Sequence, residues 1–132
     1  MNYIITNNKS FFERIGNFNY CTLEDMQLGN SIAIDTETYG LNPRDFDMFS
    51  VQIGTGKNNY LIDMQPHNKG IKFKQVIPYL QEKVLVFHNA QFDLGFFMKH
   101  NFFPSKIQDT FLASKILYNG YPNWYRHGLG YV

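Results

Sequence analysis

The sequence predicts an α/β domain in which a mixed sheet carries helices on its faces. An early block of three short strands ends in a hairpin, so part of the sheet is antiparallel. Later strands alternate with segments of helical periodicity, which is typical of strands joined by helices. A length of 132 residues fits one domain. We expect residues 1–30 to form a strand-and-helix lead-in and residues 31–132 to form the core.

The first half of the chain holds the three-strand meander. Its central apolar run, Ser31–Ile34, leads into Asp35-Thr36-Glu37-Thr38 and is typical of a strand buried on both faces. A short connection rich in Gly, Lys and Asn follows the next strand and predicts an antiparallel hairpin. The elements expected here are, in order, a strand at Asn2–Thr6, a short helix at Ser10–Ile15, an irregular polar stretch, and strands over 31–34, 48–53 and 59–63.

Helical periodicity appears in the second half. Apolar residues at i, i+3, i+4 and i+7 predict an amphipathic helix, at Phe73, Val76, Ile77 and Leu80. The next helix has apolar residues around most of its circumference, which predicts that it is largely buried. The remaining elements are a strand over 84–87, that helix from Asn89 to Lys99, a strand over 106–108, and a helix from Thr110 to Tyr118 with Leu112 and Ile116 on one face.

Composition excludes several classes of protein. The net charge of +1 lacks the basic excess of a dedicated duplex-binding module, although it leaves a nuclease with an acidic cleft open. The single cysteine, Cys21, cannot form an intramolecular disulfide, and no Cys/His spacing indicates zinc. No apolar run is long enough for a membrane span, and the first residues lack a signal peptide. We therefore expect a cytoplasmic protein.

Two groups of acidic side chains follow apolar strands. Asp35 and Glu37 project from the same face of a strand, where their charges repel each other unless a cation neutralises them. Asn89 is a predicted helix N-cap, and Asp93 lies four residues later on the same helical face. Taken singly, these residues have ordinary explanations: a solvated pair, a cap, and a charge that complements the helix dipole. Their common position after apolar strands favours a functional site.

Three segments together resemble a known family. The segments Asp35-Thr36-Glu37-Thr38, Asn89-x-x-x-Asp93 and Asp109-Thr110-Phe111-Leu112-Ala113-Ser114 resemble the proofreading 3′→5′ exonuclease domain of family A DNA polymerases. More broadly, they resemble the DEDD superfamily of 3′→5′ exonucleases, which includes ribonuclease D. The resemblance covers roughly residues 31 to 132 and extends to Arg126–Leu129, which is similar to the start of a further helix. It implies a ribonuclease H-like fold.

The resemblance also implies roles for individual residues. Asp35, Glu37 and Asp93 would hold two divalent cations, and an all-carboxylate set suits Mg²⁺ or Mn²⁺. Such a pair hydrolyses a phosphodiester by activating water and stabilising the departing 3′-oxygen. The residues implied to line the terminal nucleotide of a single-stranded DNA 3′ end, with RNA not excluded, are Thr38, Leu41, His88 and Asn89. Asp109 would be a supporting residue rather than a ligand.

The sequence departs from the family in one respect. The family has a fourth carboxylate in a Tyr-x-x-x-Asp or His-x-x-x-Asp motif, whereas no acidic residue follows Asp109 here. We expect that the last helices of the family are absent and that the isolated chain is a poor nuclease. Tyr125 and His127 are weak substitutes for the missing group.

Several explanations stay open at this stage. Three states of the chain are compatible with the missing helices. It forms part of a split DNA polymerase that a second polypeptide completes, it associates as a homo-oligomer, or it is a shortened chain. Its function is that of a 3′-5′ exonuclease, of a module that binds nucleic-acid 3′ ends without catalysis, or of an interaction protein that occupies a polymerase partner.

Overall fold

The computed structural model describes residues 1–120 and 127–131 as seven strands and four α-helices. The strands are β1 (Asn2–Ile5), β2 (Asn19–Tyr20), β3 (Ser31–Thr38), β4 (Met48–Gly54), β5 (Asn59–Asp63), β6 (Val84–Phe87) and β7 (Ile107–Asp109). The helices are α1 (Lys9–Glu13), α2 (Phe73–Leu80), α3 (Ala90–Lys99) and α4 (Thr110–Leu117), with 3-10 turns at Pro66–Asn68 and Leu129–Tyr131.

All seven strands form one mixed sheet, in the order β2-β1-β5-β4-β3-β6-β7. Strand β4 is antiparallel to both β3 and β5, and the remaining neighbours are parallel. The predicted mixed α/β sheet, its meander and the β4–β5 hairpin are therefore confirmed. The lead-in strand β1 pairs with β5, so residues 1–30 add two strands to the same sheet.

Strands β3, β6 and β7 are parallel, so their carboxyl ends lie at the same end of the sheet. Ala33 pairs with Val86, and Phe87 pairs with Asp109. Residues that follow these strands therefore meet at the same end of the sheet, where open α/β sheets bind their ligands. This end of the sheet brings together the segments after β3, β6 and β7 that contain the predicted site residues.

The prediction that the Ser31–Ile34 strand is buried on both faces is wrong. Burial alternates along β3: Ile32, Ile34 and Thr36 are buried, whereas Ala33 and Asp35 are exposed. The buried face packs against apolar side chains of α2 and α3, including Phe73, Val76, Leu80, Phe96 and Phe97. An apolar run indicates that a strand is buried but does not show whether one or both of its faces are covered. In β3 one face is covered and the other is exposed.

Two smaller expectations also need correction, and a third lies partly outside the described residues. The stretch predicted to be irregular contains the two-residue strand β2, which pairs with β1 and is too short to show periodicity. Helix α3 buries Phe96 and Phe97, but Met98 is 48% exposed, so the helix is not buried around its whole circumference. Around the further helix expected from Arg126, the described part is a 3-10 turn at Leu129–Tyr131, and Arg126 and Tyr125 lie outside the described residues.

Within the part of the chain that the structure describes, no helix has the length and apolar character needed to cross a membrane.

Candidate active site

Asp35 and Glu37 lie on the open face of β3, near its carboxyl end. Both side chains are exposed, and the alternation of the strand directs them to the same side. The pairing of β3 with β4 shifts register between Glu37 and Thr38, an irregularity of the kind that re-aims side chains next to active sites. Thr38 then donates a hydrogen bond to the carbonyl of Gly40 over 2.8 Å, which fixes the turn that leaves the strand.

Asp93 lies on the other side of β3. It is in the first turn of α3, is only 2% exposed, and accepts a hydrogen bond of 2.6 Å from the hydroxyl of Thr36. Thr36 stands between Asp35 and Glu37 in sequence and points to the opposite face. The carboxyl of Asp93 therefore approaches the strand from the core side.

The environment of Asp93 changes its ionisation. Burial raises the pKa of this carboxyl to about 6; the hydrogen bond from Thr36 opposes the shift, and the negative charge of Asp35 adds to it. A buried carboxylate close to another carboxylate is unfavourable, and a cation would relieve it. Asp35 and Asp93 are thus electrostatically coupled through the edge of the sheet, although their strand and helix hold them on different sides.

The oxygen donors of these residues suit divalent cations, but the described side chains do not converge into a complete metal site. Carboxylate oxygens are the donors that Mg²⁺ and Mn²⁺ prefer. Among residues 1–120 and 127–131, however, no three Asp, Glu, His or Cys side chains are close enough together to hold a metal ion. The pair Asp35 and Glu37 is the part of the predicted set that shares one open face.

Asn89 does not cap α3 as the sequence predicts. Its side chain makes no cap hydrogen bond, and its backbone adopts the left-handed conformation with φ of 72°. Asp109 replaces it: one carboxylate oxygen accepts from the N–H of Asn89 over 3.0 Å, and the other accepts from the N–H of Ala90 over 2.8 Å. The prediction failed because a capping side chain requires extended backbone at the N-cap residue, whereas Asn89 adopts the left-handed conformation.

Asp109 caps two helices at once. Besides the N–H groups that open α3, it accepts from Phe111 over 2.9 Å and Leu112 over 3.4 Å at the start of α4. Burial raises the pKa of this carboxyl, but the hydrogen bonds from the four backbone N–H groups outweigh it, so the pKa lies below its usual value. Through these hydrogen bonds, Asp109 connects the end of β7 to the starts of α3 and α4.

His88 faces a cavity of about 490 Å³ beside Asp35. Thr110 donates its only hydroxyl proton to the carbonyl of Phe87 over 3.1 Å, so Nδ1 of His88, 2.9 Å from the same oxygen, acts as the donor to it. In the neutral ring Nε2 is then an acceptor, and this buried atom has no hydrogen-bond partner among the described residues. The other residues that line the cavity are Ala33, Ile34, Gln52, Gly54, Val86, Phe87, Thr110 and Leu129.

Leu41 and Asn89 meet at a second cavity, of about 310 Å³. Leu41 is 83% exposed at the turn after β3, and Asn89 precedes α3. The floor and walls of this cavity are completed by Pro43, Gln91, Phe92 and Gly95. An exposed leucine over a cavity that contains an aromatic ring fits a planar apolar group such as a nucleobase.

Sequence reasoning missed Thr36 and Thr110. Strand alternation was sufficient to place Thr36 on the face opposite Asp35, but nothing local indicates that Asp93 is its partner. Thr110 follows Asp109 directly and was read only as the start of a helix. Its hydroxyl fixes the ring of His88, which is a contact across 22 positions of the chain.

Comparison with known proteins identifies relatives of this arrangement. A sequence model of a family described as 3′-5′ exonuclease matches residues 9–130. DNA polymerase I of Aquifex aeolicus (strain VF5) is 34% identical over 123 residues, which cover 87% of this chain and 19% of the polymerase.

Solved structures share the fold. Brucella melitensis NrnC with bound Mg²⁺ is 27% identical with a TM-score of 0.63, covering 97% of this chain and 56% of NrnC. The same protein bound to pGG gives a TM-score of 0.66 with 98% and 57% coverage. Escherichia coli RNase D, at 19% identity and a TM-score of 0.61, covers 96% of this chain and 31% of its own and shows the fold alone.

The chain spans about a fifth of the polymerase and little more than half of NrnC. Its sheet is the ribonuclease H-like sheet of these exonucleases, as the resemblance implied.

Proposed function

This chain belongs to the 3′-5′ exonuclease family, and we propose that it hydrolyses phosphodiester bonds at the 3′ end of single-stranded DNA, as the proofreading module of a DNA polymerase. The observation that supports this most is the exposed pair Asp35 and Glu37 at the carboxyl end of β3, together with the effect of the Asp35 charge on Asp93 at the start of α3. A scaffold has no use for a buried carboxyl whose pKa, already raised by burial, is raised further by the charge of a second carboxylate.

Asp35, Glu37 and Asp93 would hold two cations, Mg²⁺ or Mn²⁺. When bound, such ions supply an activated water and stabilise charge on the departing 3′-oxygen. The side chains contribute the negative charge that attracts the ions, and the hydrogen bond from Thr36 restrains the carboxyl of Asp93 next to β3. The NrnC structure that contains Mg²⁺ supports this choice of metal.

The substrate end would lie between the two cavities. Leu41 and Asn89 would contact the terminal base, Thr38 would hold the turn that presents Leu41, and His88 would line the cavity beside Asp35. Stacking on an aliphatic or aromatic side chain does not read base identity, which suits a proofreading enzyme. The polymerase relative favours DNA, and the pGG complex of NrnC supports recognition of a short 3′ end.

A second candidate is a module that binds 3′ ends without cleaving them. It is favoured by the lack of a three-carboxylate group within residues 1–120 and 127–131. A divalent site with one carboxylate fewer binds its ion more weakly and positions water poorly, and positioning is worth orders of magnitude in rate.

One assay separates the two candidates. Single-stranded DNA with a 5′ label is incubated with the chain and Mg²⁺ or Mn²⁺, in parallel with the variant Asp35→Asn. The matched control is Asp25→Asn, which removes another exposed carboxylate that lines neither of the two cavities. We expect metal-dependent shortening from the 3′ end by the wild type and by Asp25→Asn, and none by Asp35→Asn.

The remaining outcomes are equally informative. DNA binding without shortening, at any metal concentration, contradicts catalysis and supports the binding module. Faster degradation of an RNA of the same sequence contradicts the DNA preference but not the exonuclease assignment. Equal activity of the wild type and Asp35→Asn removes Asp35 from the site.

A further inference from the structure

The segment between β3 and β4, residues Tyr39–Asp47, forms a closed loop, called here the β3–β4 loop. Its ends are joined by a hydrogen bond of 3.0 Å from the N–H of Tyr39 to the carbonyl of Asp47. Within it, the N–H groups of Asp45 and Phe46 both bond to the carbonyl of Asn42. The ring of Phe46 occupies the space above Gly40, where an added Cβ would lie 2.3 Å from the ring. The loop therefore behaves as one packed unit.

Three contacts attach this unit to α3. The ammonium of Lys99 donates to the carbonyl of Phe46 over 2.6 Å, and Nε2 of His100 lies 2.9 Å from a carboxylate oxygen of Asp47. The ring of Pro43 lies over Gly95, with its Cγ 3.3 Å from the position of a Cβ there. Two of the three contacts are made at the carboxyl end of α3, at Lys99 and His100.

Within this attachment, Asp47 and His100 each make a further contact that restrains their pairing. The carboxylate oxygen of Asp47 that meets His100 also accepts the N–H of Met48 over 2.8 Å, at the start of β4. The ring of His100 stands edge-on to Phe73, a core residue of α2, with 5.3 Å between ring centroids. The pair thus connects the base of the loop to the core.

Leu41 depends on this attachment for its position. Its side chain is 83% exposed, so little packing of its own restrains it. It reaches the cavity at Asn89 and Phe92 only because the loop rests on α3. Movement of the loop away from α3 would open that cavity and remove Leu41 from the terminal base.

We propose that Asp47 and His100 are positioning residues that hold Leu41 against the 3′-terminal base of the substrate. This inference rests on the proposed function, because it takes the cavity at Leu41 and Asn89 as the place of that base. Neither residue touches substrate: each acts through the loop. Lys99 assists by binding the carbonyl of Phe46, but the Asp47–His100 pair sets where the loop joins the sheet.

Kinetics on a short single-stranded DNA test the proposal. The variants are His100→Ala, His100→Gln (whose amide N–H can still donate to Asp47), Leu41→Ala, and the double variant His100→Ala/Leu41→Ala. His67→Ala is the matched control, since its exposed imidazole contacts Phe11 on another part of the surface. We expect His100→Ala and Leu41→Ala each to raise KM about tenfold, the range for loss of one base contact, with little change in kcat.

The double variant separates positioning from a general structural effect. If His100 acts through Leu41, the double variant has nearly the KM of either single variant, because residues that act as a unit are not additive. His100→Gln should stay within about twofold of the wild type, and His67→Ala should not change KM. Single effects that multiply in the double variant, or a fall in kcat at constant KM, overturn the proposal.

Amide hydrogen exchange without DNA provides a readout that does not need activity. In His100→Ala and Asp47→Ala we expect faster exchange of the hydrogen-bonded amides Tyr39, Asp45 and Phe46, with β1 and β5 unchanged. Unchanged exchange in the loop overturns the proposal whatever the nuclease assay shows. If the wild type does not cleave DNA but loop exchange still responds to the substitutions, the proposed function is refuted instead. In that case the Kd of each variant for the same DNA, measured by fluorescence anisotropy, replaces KM. The expected pattern and the results that overturn the proposal stay the same.

Discussion

Thr36 donates a 2.6 Å hydrogen bond to Asp93, and this bond joins two residues 57 positions apart. Both side chains are buried, at 5% and 2% exposure. The bond attaches the middle of the Asp35–Glu37 pair to the first turn of α3. The segments of the candidate site are therefore held together by a contact inside the core, on the face opposite the two exposed carboxylates.

Replacement of Thr36 by valine should destabilise the protein. The substitution keeps the shape of the side chain but removes the donor, which leaves a buried carboxyl oxygen without its partner. We expect the free energy of unfolding at pH 7 to fall by about 1–3 kcal/mol, measured by urea denaturation. Thr36→Ser, which keeps a hydroxyl, should lose less; a larger loss in Thr36→Ser than in Thr36→Val would contradict the role of the bond.

Asp93→Asn should stabilise the metal-free protein at neutral and alkaline pH. Because folding raises the pKa of Asp93 to about 6, its contribution to stability is fully present below the unfolded pKa and is lost as pH rises through the folded pKa. Removing the charge should therefore raise the free energy of unfolding at pH 8 by up to about 3 kcal/mol and change little near pH 4. Urea denaturation in EDTA across this range measures the difference.

The same substitution separates stability from activity. Asn retains an oxygen that accepts the hydrogen bond from Thr36, so the fold should persist while metal-dependent cleavage is reduced. A variant less stable than the wild type at pH 8 in EDTA would show that the buried carboxylate is not strained as described.

Removal of the Asp109 carboxylate should weaken two helices together. In Asp109→Ala the N–H groups that open α3 and α4 lose their acceptor. Loss of one cap costs about 1 kcal/mol, so we expect a loss of about 2 kcal/mol or more in urea denaturation. Asp109→Asn, with one acceptor oxygen, should lie between the wild type and Asp109→Ala.

The contribution of Asp109 should also depend on acid. Its folded pKa is lowered, so the stabilisation is present above the unfolded pKa and is lost as pH falls through the folded pKa, below about 4. The difference in unfolding free energy between the wild type and Asp109→Asn should shrink in that range. A difference that grows on acidification would contradict this assignment.

Gly70→Ala should be strongly destabilising, whereas Gly29→Ala should not. A Cβ at Gly70 would lie 2.2 Å from the carbonyl carbon of Met64, which is backbone and cannot rotate away, but a Cβ at Gly29 would meet nothing within 4 Å. Forced overpacking costs about 1–3 kcal/mol or more. Thermal denaturation of the two variants measures the contrast, and equal melting temperatures would refute the close approach.

The sequence predicted those elements whose signal is local. Helix α2 appeared from four apolar residues at helical spacing, and the β4–β5 hairpin from a short Gly-containing connection between two apolar runs, and both form as expected. Such patterns are set by the geometry of one element, 3.6 residues per turn or an alternation of two. Strand β2 was missed because two paired residues carry no period.

By itself, the sequence also determined which residue types the candidate site contains and that they follow strands, because residue identity and the order of elements are read along the chain. Only the tertiary structure decided that β3 has one open face, that Asp93 bonds to Thr36 from the core side, and that Asp109 rather than Asn89 caps α3. These relationships depend on which segments pack together across 19 to 57 positions of chain. That packing is chosen by the whole core and not by any local pattern.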